Sequence, residues 1–258
     1  MGLLDLPACF NYILGINKAT NKIIYFGHSQ GGCMIFAALS QKIEYFKTVL
    51  LAVIGLGPAS QLNHIDSDLL RFIDKYYIYG WLKENKIFEV LPFKKNLAKL
   101  NGEILKVYPL ISFAFMEYLS DSETYVNCPE RLIVFLNRYP SGTSLKSLQH
   151  FRNIIKTKRF TFYDYEDKEK NIEKYNSETP PIYDLSNIKD IPIIICAGQN
   201  DRMTSVGDIR WLKDQVKDTL YNYYEYKYMG HASFVLSNDM IWFNDVLRDI
   251  YKIMDKNK

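Results

Sequence analysis

The sequence predicts an α/β protein in which a parallel sheet carries a large, mostly helical insertion. Two observations predict this fold class. Strand, helix and strand patterns follow one another within residues 22–54, and the same order returns within residues 190–228, followed by a last helix. Neighbouring parallel strands require a crossover connection, which is usually a helix. Residues 59–185, between these two regions, lack that alternation.

The first region begins with a helix and contains two strands. Asp5 can cap a helix over residues 5–16, where apolar side chains recur at helical spacing. Residues 22–26 form a compact β-branched and aromatic run, which is typical of a strand. Residues 33–43 predict a buried helix, and residues 48–54 predict the second strand.

The last region repeats this order near the end of the chain. Its patterns predict strands over residues 190–197 and 220–228, and helices over residues 206–217 and 239–254. We therefore expect about four core strands, with the strand over residues 22–26 at an open edge of the sheet.

The insertion is expected to form a cap. Residues 59–185 contain mostly helical patterns, for example over residues 66–79 and 144–155. An insertion between consecutive strands of an α/β sheet lies over their carboxyl ends, where ligands bind in this class. We therefore expect an α/β core made of residues 1–58 and 186–258, and a helical cap or lid over residues 59–185.

The composition is that of an ordinary globular protein and argues against several classes of function. The 258 residues are 48% hydrophobic and 24% charged, with a formal net charge of +3. Basic and acidic residues are mixed along the chain, so we expect no nucleic-acid partner. The longest apolar run, residues 49–57, is about half the length that crosses a bilayer, so we expect no transmembrane segment.

Neither a targeting segment nor a metal site is indicated. Residues 1–10 lack the basic start and long apolar centre of a signal peptide, so we expect none in the chain as given. The four cysteines are far apart, without the paired spacing of zinc or redox motifs, and we expect no metal and no cofactor. Cys9, Cys33 and Cys196 fall in apolar patterns and are expected in the core.

One motif points to nucleophilic catalysis. Gly27-His28-Ser29-Gln30-Gly31 has the pattern Gly-x-Ser-x-Gly, directly after a predicted strand and directly before a predicted helix. This is the context of a nucleophile elbow, in which glycines leave room for a tight turn and the serine hydroxyl projects above the sheet. The alternative is a plain glycine-rich turn, because the pattern alone also occurs by chance. We predict Ser29 as the nucleophile.

A serine nucleophile needs a general base that is oriented by a carboxylate. Of the four histidines, His231 follows the last strand, which is the position that the chain order Ser, Asp, His requires. His28 lies inside the elbow, where its side chain is expected to point away from Ser29. His64 and His150 are expected at the surface or at the edge of the core.

Asp201 is the first carboxylate after the strand that precedes it, and we predict it as the acid of the triad. The alternative role of this residue is a turn or helix cap, and Asp208 is a second candidate acid. In this scheme His231 takes the proton from Ser29 as the serine attacks an ester carbonyl. The backbone N–H of Gln30 then donates to the oxyanion.

Six short motifs follow one another along the chain. They are Asp5-Leu6-Pro7-Ala8, Gly27-His28-Ser29-Gln30-Gly31, Pro140-Ser141-Gly142-Thr143-Ser144, Pro180-Pro181-Ile182-Tyr183-Asp184-Leu185, Gly198-Gln199-Asn200-Asp201 and His231-x-x-Phe234. With these motifs in this order, the chain resembles the acid lipase family of gastric and lysosomal lipases, and the similarity covers nearly the whole chain. One position departs from the pattern, since the family has an acid two residues after the histidine, where this chain has Ser233.

The resemblance implies an α/β-hydrolase fold with a helical cap and a mobile lid, and Ser29, Asp201 and His231 as the catalytic triad. It also implies a lipase of lipid catabolism that hydrolyses triacylglycerol or sterol esters at a lipid–water interface. By the same resemblance, the protein is expected to be secreted or lysosomal.

The front of the chain leaves alternatives open. Only 28 residues precede Ser29, whereas several strands and a second oxyanion donor precede the nucleophile in the complete fold. The chain is then either an N-terminally incomplete version of a longer lipase or a shortened, inactive relative that binds lipid without turnover. An acyltransferase or an esterase for small esters on the same fold is a third alternative.

Overall fold

The computed structural model describes residues 1–68, 76, 78–121, 126–139 and 141–256. Most of the helix predicted over residues 66–79 lies outside the described residues, and so does Pro140 of the Pro-Ser-Gly motif. The other predicted elements fall within these ranges and can be compared with the structure.

The chain alternates strands and helices at both ends and is mainly helical between them. The strands are β1 (Ile23–His28), β2 (Leu50–Leu56), β3 (Glu89–Val90), β4 (Thr143–Ser144), β5 (Ile193–Gly198) and β6 (Leu220–Tyr226). The described helices are α1 (Asp5–Ile16), α2 (Gln30–Val49), α3 (Ile78–Glu84), α4 (Lys95–Val107), α5 (Pro109–Leu119), α6 (Pro129–Leu136), α7 (Leu145–Thr157), α8 (Lys168–Tyr175), α9 (Val206–Gln215), α10 (Ser233–Leu236) and α11 (Ile241–Asp255).

Four parallel strands form the central sheet, in the order β1-β2-β5-β6. Their carboxyl ends meet at one edge, where His28 pairs with Leu56, Leu56 pairs with Cys196, and Gly198 pairs with Tyr226. The loops that follow these strands therefore start close together. The sequence predicted both the number of strands and the position of β1 at an edge of the sheet.

Both faces of the two central strands, β2 and β5, are buried, which is why these strands are almost continuously apolar. Alternate residues of β2 and β5 point into two different clusters. Val53, Ile193 and Ile195 join the cluster that contains Phe36 and Leu39 of α2. On the opposite face, the side chains of Ile54, Ile194 and Cys196 form a second cluster. This cluster includes Trp242, Val246 and Ile250 of α11.

The predicted boundaries differ from the structure at several elements. Strand β5 begins at Ile193 rather than at residue 190, and β6 ends at Tyr226 rather than at residue 228. The strand β1 continues through Gly27 and His28, because these residues stay in register with β2. Helix α2 starts at Gln30, directly after Ser29, and continues to Val49, so that β2 begins at Leu50 rather than at residue 48.

One of the three expected core cysteines is not in the core. Cys33 and Cys196 are buried, but Cys9 is exposed. Helix α1 buries Leu6 and Phe10, which are four residues apart, and Cys9 lies beside that buried stripe.

The insertion contributes helices α3 to α8 and a two-stranded antiparallel sheet of β3 and β4. The four strands of the central sheet all come from residues before 59 or after 185. The division into a core and a cap at these boundaries stays a prediction. Over the ranges that the structure describes, we find no helix with the length and apolar character needed to span a membrane.

The two-sided core gives a direct test of the fold. Phe36 is fully buried (0% exposed) and Phe88 is 65% exposed. We expect Phe36→Ala to lower the free energy of unfolding by about 3–5 kcal/mol, because it leaves a cavity against the sheet. Phe88→Ala, as the control, should change it by less than about 0.5 kcal/mol. Equilibrium urea unfolding measures both, and a loss below about 1 kcal/mol for Phe36→Ala would contradict this packing.

Candidate active site

Ser29 occupies a strained turn between β1 and α2. Its backbone has φ 54° and ψ −115°, a positive φ that few residues other than glycine adopt. Hydrogen bonds to the end of β2 hold this conformation: the Ser29 N–H donates to the Leu56 carbonyl (3.0 Å), and the Ala59 N–H donates to the Ser29 carbonyl (3.1 Å). The sharp strand-to-helix turn that the motif predicted is present.

Two glycines around Ser29 are required by close backbone approach. A Cβ on Gly27 would lie 2.8 Å from the backbone of Gly31 and Gly32, and a Cβ on Gly32 would lie 2.5 Å from Pro58 Cβ. Gly31 differs, because a Cβ there would meet only the Tyr25 hydroxyl, at 3.4 Å. The second glycine of the Gly-x-Ser-x-Gly pattern therefore has room for a methyl group.

His231 and Asp201 form a buried pair behind the turn. His231 Nδ1 lies 2.8 Å from Asp201 Oδ2, and the two side chains are only 7% and 0% exposed. Asp201 follows β5 and His231 follows β6, so adjacent parallel strands bring the two loops together. Because a carboxylate accepts, Nδ1 carries the proton and Nε2 of the neutral imidazole is left as an acceptor.

The Asp201 carboxylate is also the centre of its own turn. Oδ1 accepts from the backbone N–H of Met203 (2.8 Å) and of Thr204 (2.7 Å), and the Thr204 hydroxyl lies 2.6 Å from Oδ2. Thr204 Oγ1 is also 3.2 Å from His231 Nδ1. Asp201 therefore caps its own turn and also contacts the His231 imidazole, and its role as the acid of a triad stays a prediction.

The two neighbouring histidines have opposite pKa shifts. Burial alone lowers the pKa of His231, but the charge of Asp201, the hydrogen bond to it and the charge of Asp121 together raise this pKa above its ordinary value. Burial, together with the charge of His231, lowers the pKa of His28 to about 4. His28 is therefore neutral where His231 titrates.

His28 contacts the backbone of His231. Its Nε2 lies 2.9 Å from the His231 carbonyl oxygen, so Nε2–H is the donor, and the two rings lie 4.7 Å apart. The expectation that His28 is not the base agrees with this geometry. Nothing in the sequence indicated that His28 would contact the His231 loop.

The structure does not join all the predicted catalytic residues directly. Among the described residues, no hydrogen bond connects the Ser29 hydroxyl with His231. The connection runs through the segment after β2: Leu56 and Ala59 hold the Ser29 backbone, and a Cβ on Gly57 would lie 3.4 Å from His231 Nδ1. Catalytic hydrogen bonds in free enzymes are often long and tighten when substrate binds.

The fourth predicted residue, Gln30, is the first residue of α2. The N–H groups of a first helical turn have no partner within the helix and carry partial positive charge. The Gln30 N–H is thus a donor next to the Ser29 side chain. The Gln30 side chain points elsewhere, to the sulfur of Met1 at 3.9 Å.

Ser29 and Gln30 open into a cavity of about 470 Å³ under the insertion. Most of its lining is apolar, and its walls come from both the α/β core and the insertion. The apolar lining residues include Leu62, Ile78, Leu82, Val90, Leu148, Phe151, Ile155 and Met203. A second cavity of about 560 Å³, beside Tyr226 and Ile241, contains none of the four predicted residues.

The second candidate acid belongs to another pair. Asp208 accepts from the His64 backbone N–H (3.0 Å), and its Oδ1 lies 2.9 Å from His64 Nδ1. Asp208 is therefore not a partner of His231. Two residues that contact the Asp201–His231 pair or its loops, Thr204 and Asp121, were not predicted from the sequence. Thr204 could have been predicted from its position in the turn after Asp201. No feature of the sequence indicated Asp121.

Comparison with known proteins places the chain among lipase relatives. No family model matches it. A tear acid lipase-like protein of Mesocricetus auratus is 25% identical over 263 residues, which cover 98% of this chain and 62% of the relative. The human lysosomal acid lipase/cholesteryl ester hydrolase is 27% identical, over 94% of this chain and 60% of the relative. The chain spans about three fifths of the length of these curated relatives.

A solved structure shows the same fold. A soluble variant of monoglyceride lipase from Saccharomyces cerevisiae, in complex with a substrate analogue, superposes with a TM-score of 0.55 at 18% identity. The match covers 98% of this chain and 68% of that chain. The α/β-hydrolase fold and the resemblance to the acid lipases, both predicted from the sequence, are thereby confirmed.

The glycine contacts give a prediction within the elbow itself. Gly27→Ala should destabilise the protein by more than about 2 kcal/mol, because its Cβ would overlap backbone atoms. Gly31→Ala is the matched control, since it adds the same atom where there is room, and alanine is favoured over glycine in a helix by up to about 1 kcal/mol. Thermal unfolding measures both, and equal losses of stability would contradict the elbow described here.

Proposed function

We propose that this chain, a relative of the acid lipases with an α/β-hydrolase fold, is a serine hydrolase that cleaves lipid esters. One observation carries the proposal: a buried, hydrogen-bonded Asp201–His231 pair follows β5 and β6 at the same edge of the sheet as a serine held in a strained strand-to-helix turn. This is the set of groups that a serine hydrolase requires.

In the proposed reaction, His231 acts first as a base. Its Nε2 accepts the proton of the Ser29 hydroxyl as Oγ attacks the ester carbonyl carbon, and Asp201 stabilises the resulting imidazolium. The Gln30 N–H donates to the oxyanion of the tetrahedral intermediate. His231 then protonates the leaving alcohol, and an acyl-enzyme remains on Ser29. Water attacks this acyl group with His231 again as the base, which releases the fatty acid and restores the serine.

The cavity supports a lipid ester as the substrate. Its largely apolar lining suits an acyl chain, because burying such a chain removes apolar surface from water. The named relatives include a lysosomal acid lipase/cholesteryl ester hydrolase and a gastric triacylglycerol lipase. We therefore propose that the substrates are triacylglycerol or sterol esters at a lipid–water interface, and that the reaction serves lipid catabolism. By the same relationship, we propose that the protein is secreted or lysosomal.

A second candidate function is lipid binding without turnover. It is favoured by the missing hydrogen bond between the Ser29 hydroxyl and His231 among the described residues. The two candidates differ in whether Ser29 reacts, so a covalent probe and a hydrolysis assay separate them.

We expect a fluorophosphonate probe to label Ser29, and Ser29→Ala to abolish the label. The same substitution should lower the hydrolysis of an emulsified triacylglycerol by about 10⁴-fold or more, because it removes the attacking oxygen. Labelling is read by mass spectrometry and hydrolysis by titration of released acid. A folded protein that binds lipid but takes no label would favour the second candidate.

The two aspartate–histidine pairs, each with a buried aspartate, offer a comparison of the two carboxylates. We expect Asp201→Asn to lower kcat by about 10³–10⁴-fold, because an amide no longer fixes the tautomer of His231 or balances its charge. Asp208→Asn changes an equally buried carboxylate that contacts His64 instead, and kcat should stay within about twofold. If both substitutions lowered kcat equally, the assignment of Asp201 would be wrong.

The raised pKa of His231 sets the direction of the pH dependence. The base must be neutral to accept a proton, so kcat/KM should fall as the pH drops through the pKa of His231, with a midpoint above the ordinary value of about 6.5. Asp201→Asn should move the midpoint down, because burial then dominates. NMR titration of the His231 ring in both proteins measures this, and an unchanged midpoint would contradict the assigned cause.

A further inference from the structure

The peptide group that follows His231 is held at both ends by side chains. His28 Nε2–H donates to the His231 carbonyl at 2.9 Å, and the Ala232 N–H donates to Asp121 Oδ1 at 3.0 Å. His28 belongs to the elbow, whereas Asp121 belongs to the insertion. The position of the His231 backbone is therefore fixed from two separate parts of the chain.

Asp121 also packs against the residue before His231. A Cβ placed on Gly230 would overlap Asp121 Cγ, so the carboxyl group lies directly against the Gly230 backbone. Gly230 donates its N–H to the Ser233 hydroxyl at 3.0 Å, which closes the turn. Asp121 thus contacts the chain on both sides of His231, at Gly230 and at Ala232.

The same segment of the insertion is attached to the loop of Asp201. Asp121 and Asp201 pair as an isolated antiparallel β bridge, and the Arg202 N–H donates to the Ser120 carbonyl at 2.8 Å. Residues 120 and 121 therefore connect the loop that carries the base with the loop that carries its carboxylate. Asp121 therefore contacts the loops of both partners of the 2.8 Å hydrogen bond.

An aspartate is energetically unfavourable at position 121. It is fully buried, and its second oxygen accepts only from Asn127 Nδ2, at 3.3 Å, among the described residues. Burial, and to a smaller extent the charge of Asp201, raises the pKa of its carboxyl group against the effect of those two hydrogen bonds. A buried carboxyl group beside another carboxylate is unfavourable for stability alone.

We propose that Asp121 is a positioning residue for ester hydrolysis: through the Ala232 N–H and the Gly230 backbone, the insertion sets the position of the His231 imidazole relative to Ser29. This inference rests on the proposed function and adds a requirement to it. The core alone carries the three reacting groups, and the insertion supplies the acceptor that aligns one of them.

The Asn and Ala variants of this residue separate positioning from charge. In Asp121→Asn the amide oxygen still accepts from the Ala232 N–H. The new NH₂ replaces the oxygen that accepts from Asn127 Nδ2, so the Asn127 amide must turn over to receive its hydrogen bond. Its Oδ1 is a buried acceptor with no hydrogen-bond partner in the described part of the chain. Asp121→Ala removes the acceptor altogether. Asp249→Ala is the matched control, because Asp249 is equally buried and accepts from Asn222 and Tyr224, away from the His231 loop.

The experiment compares the folded forms of these variants with the parent chain in a hydrolysis assay. We expect Asp121→Ala to lower kcat by about 20- to 100-fold with KM within about threefold, because small misplacements of a catalytic group have effects of this size. Asp121→Asn should recover kcat to within about fivefold of the parent. Asp249→Ala should lower the Tm but keep kcat within about twofold. An unchanged kcat for folded Asp121→Ala would overturn the proposal.

A second readout does not depend on activity. We expect the proton that His231 Nδ1 donates to Asp201 to give a downfield NMR signal in the parent, in Asp121→Asn and in Asp249→Ala. In Asp121→Ala we expect this signal to be shifted or lost. If the parent hydrolyses no ester, the proposed function fails while this signal still tests the positioning role. An unshifted signal in Asp121→Ala would overturn that role.

Another variant applies if Asp121→Ala does not fold. Asn127→Ala leaves the carboxylate in place but removes its second hydrogen bond, so the carboxyl group can rotate away from Ala232. We expect kcat to fall about 3- to 10-fold with KM unchanged and the NMR signal to shift. No change in either measurement would overturn the proposal.

Discussion

The hydrogen bond between Asp201 and His231 is the interaction on which the rest of the site depends. It requires two loops to meet in a place where water is excluded. The parallel register of β5 and β6 brings the loops to the same edge of the sheet. Burial of the carboxylate then requires further donors, which the N–H groups of Met203 and Thr204 provide. The conformation of the turn after β5 thus provides the hydrogen bonds that the buried Asp201 carboxylate requires.

The insertion contacts the loops of Asp201 and His231 and also lines the cavity. Met116, Leu132 and Leu136 pack against Ala232 and Leu236 around the short helix after His231. Arg202, next to the acid, donates to the Glu117 carbonyl and pairs with Asp68. The loops of the base and of its acid are therefore in contact with the insertion at several points. A displacement of the insertion would therefore change the positions of Asp201 and His231.

The sequence predicted the parts of the molecule that depend on local chemistry. The apolar runs predicted four parallel strands, and the glycine-flanked Ser29 predicted the tight turn between strand and helix. The order of Ser29, Asp201 and His231 placed each at the end of a strand, where the structure has them. Strand ends were displaced by about two residues, because hydrogen-bond pairing rather than side-chain type decides where a strand stops.

The remaining contacts could not be predicted because tertiary structure creates them. Asp121 is distant from His231 in the chain, and nothing around it differs from an ordinary loop acid. The pairing of Asp208 with His64 likewise joins residues 144 positions apart. The role of Gly31 was inferred from the pattern, and only the neighbouring atoms show that a methyl group fits there.

A crystal structure of the chain after reaction with a long-chain phosphonate would test the central claim most directly. The account predicts a covalent bond from Ser29 Oγ to phosphorus, the phosphoryl oxygen within hydrogen-bond distance of the Gln30 N–H, and His231 Nε2 within hydrogen-bond distance of Ser29 Oγ. The alkyl chain should lie in the cavity between the sheet and the insertion. A phosphonate attached elsewhere, or an imidazole that stays out of reach of Ser29, would contradict the account.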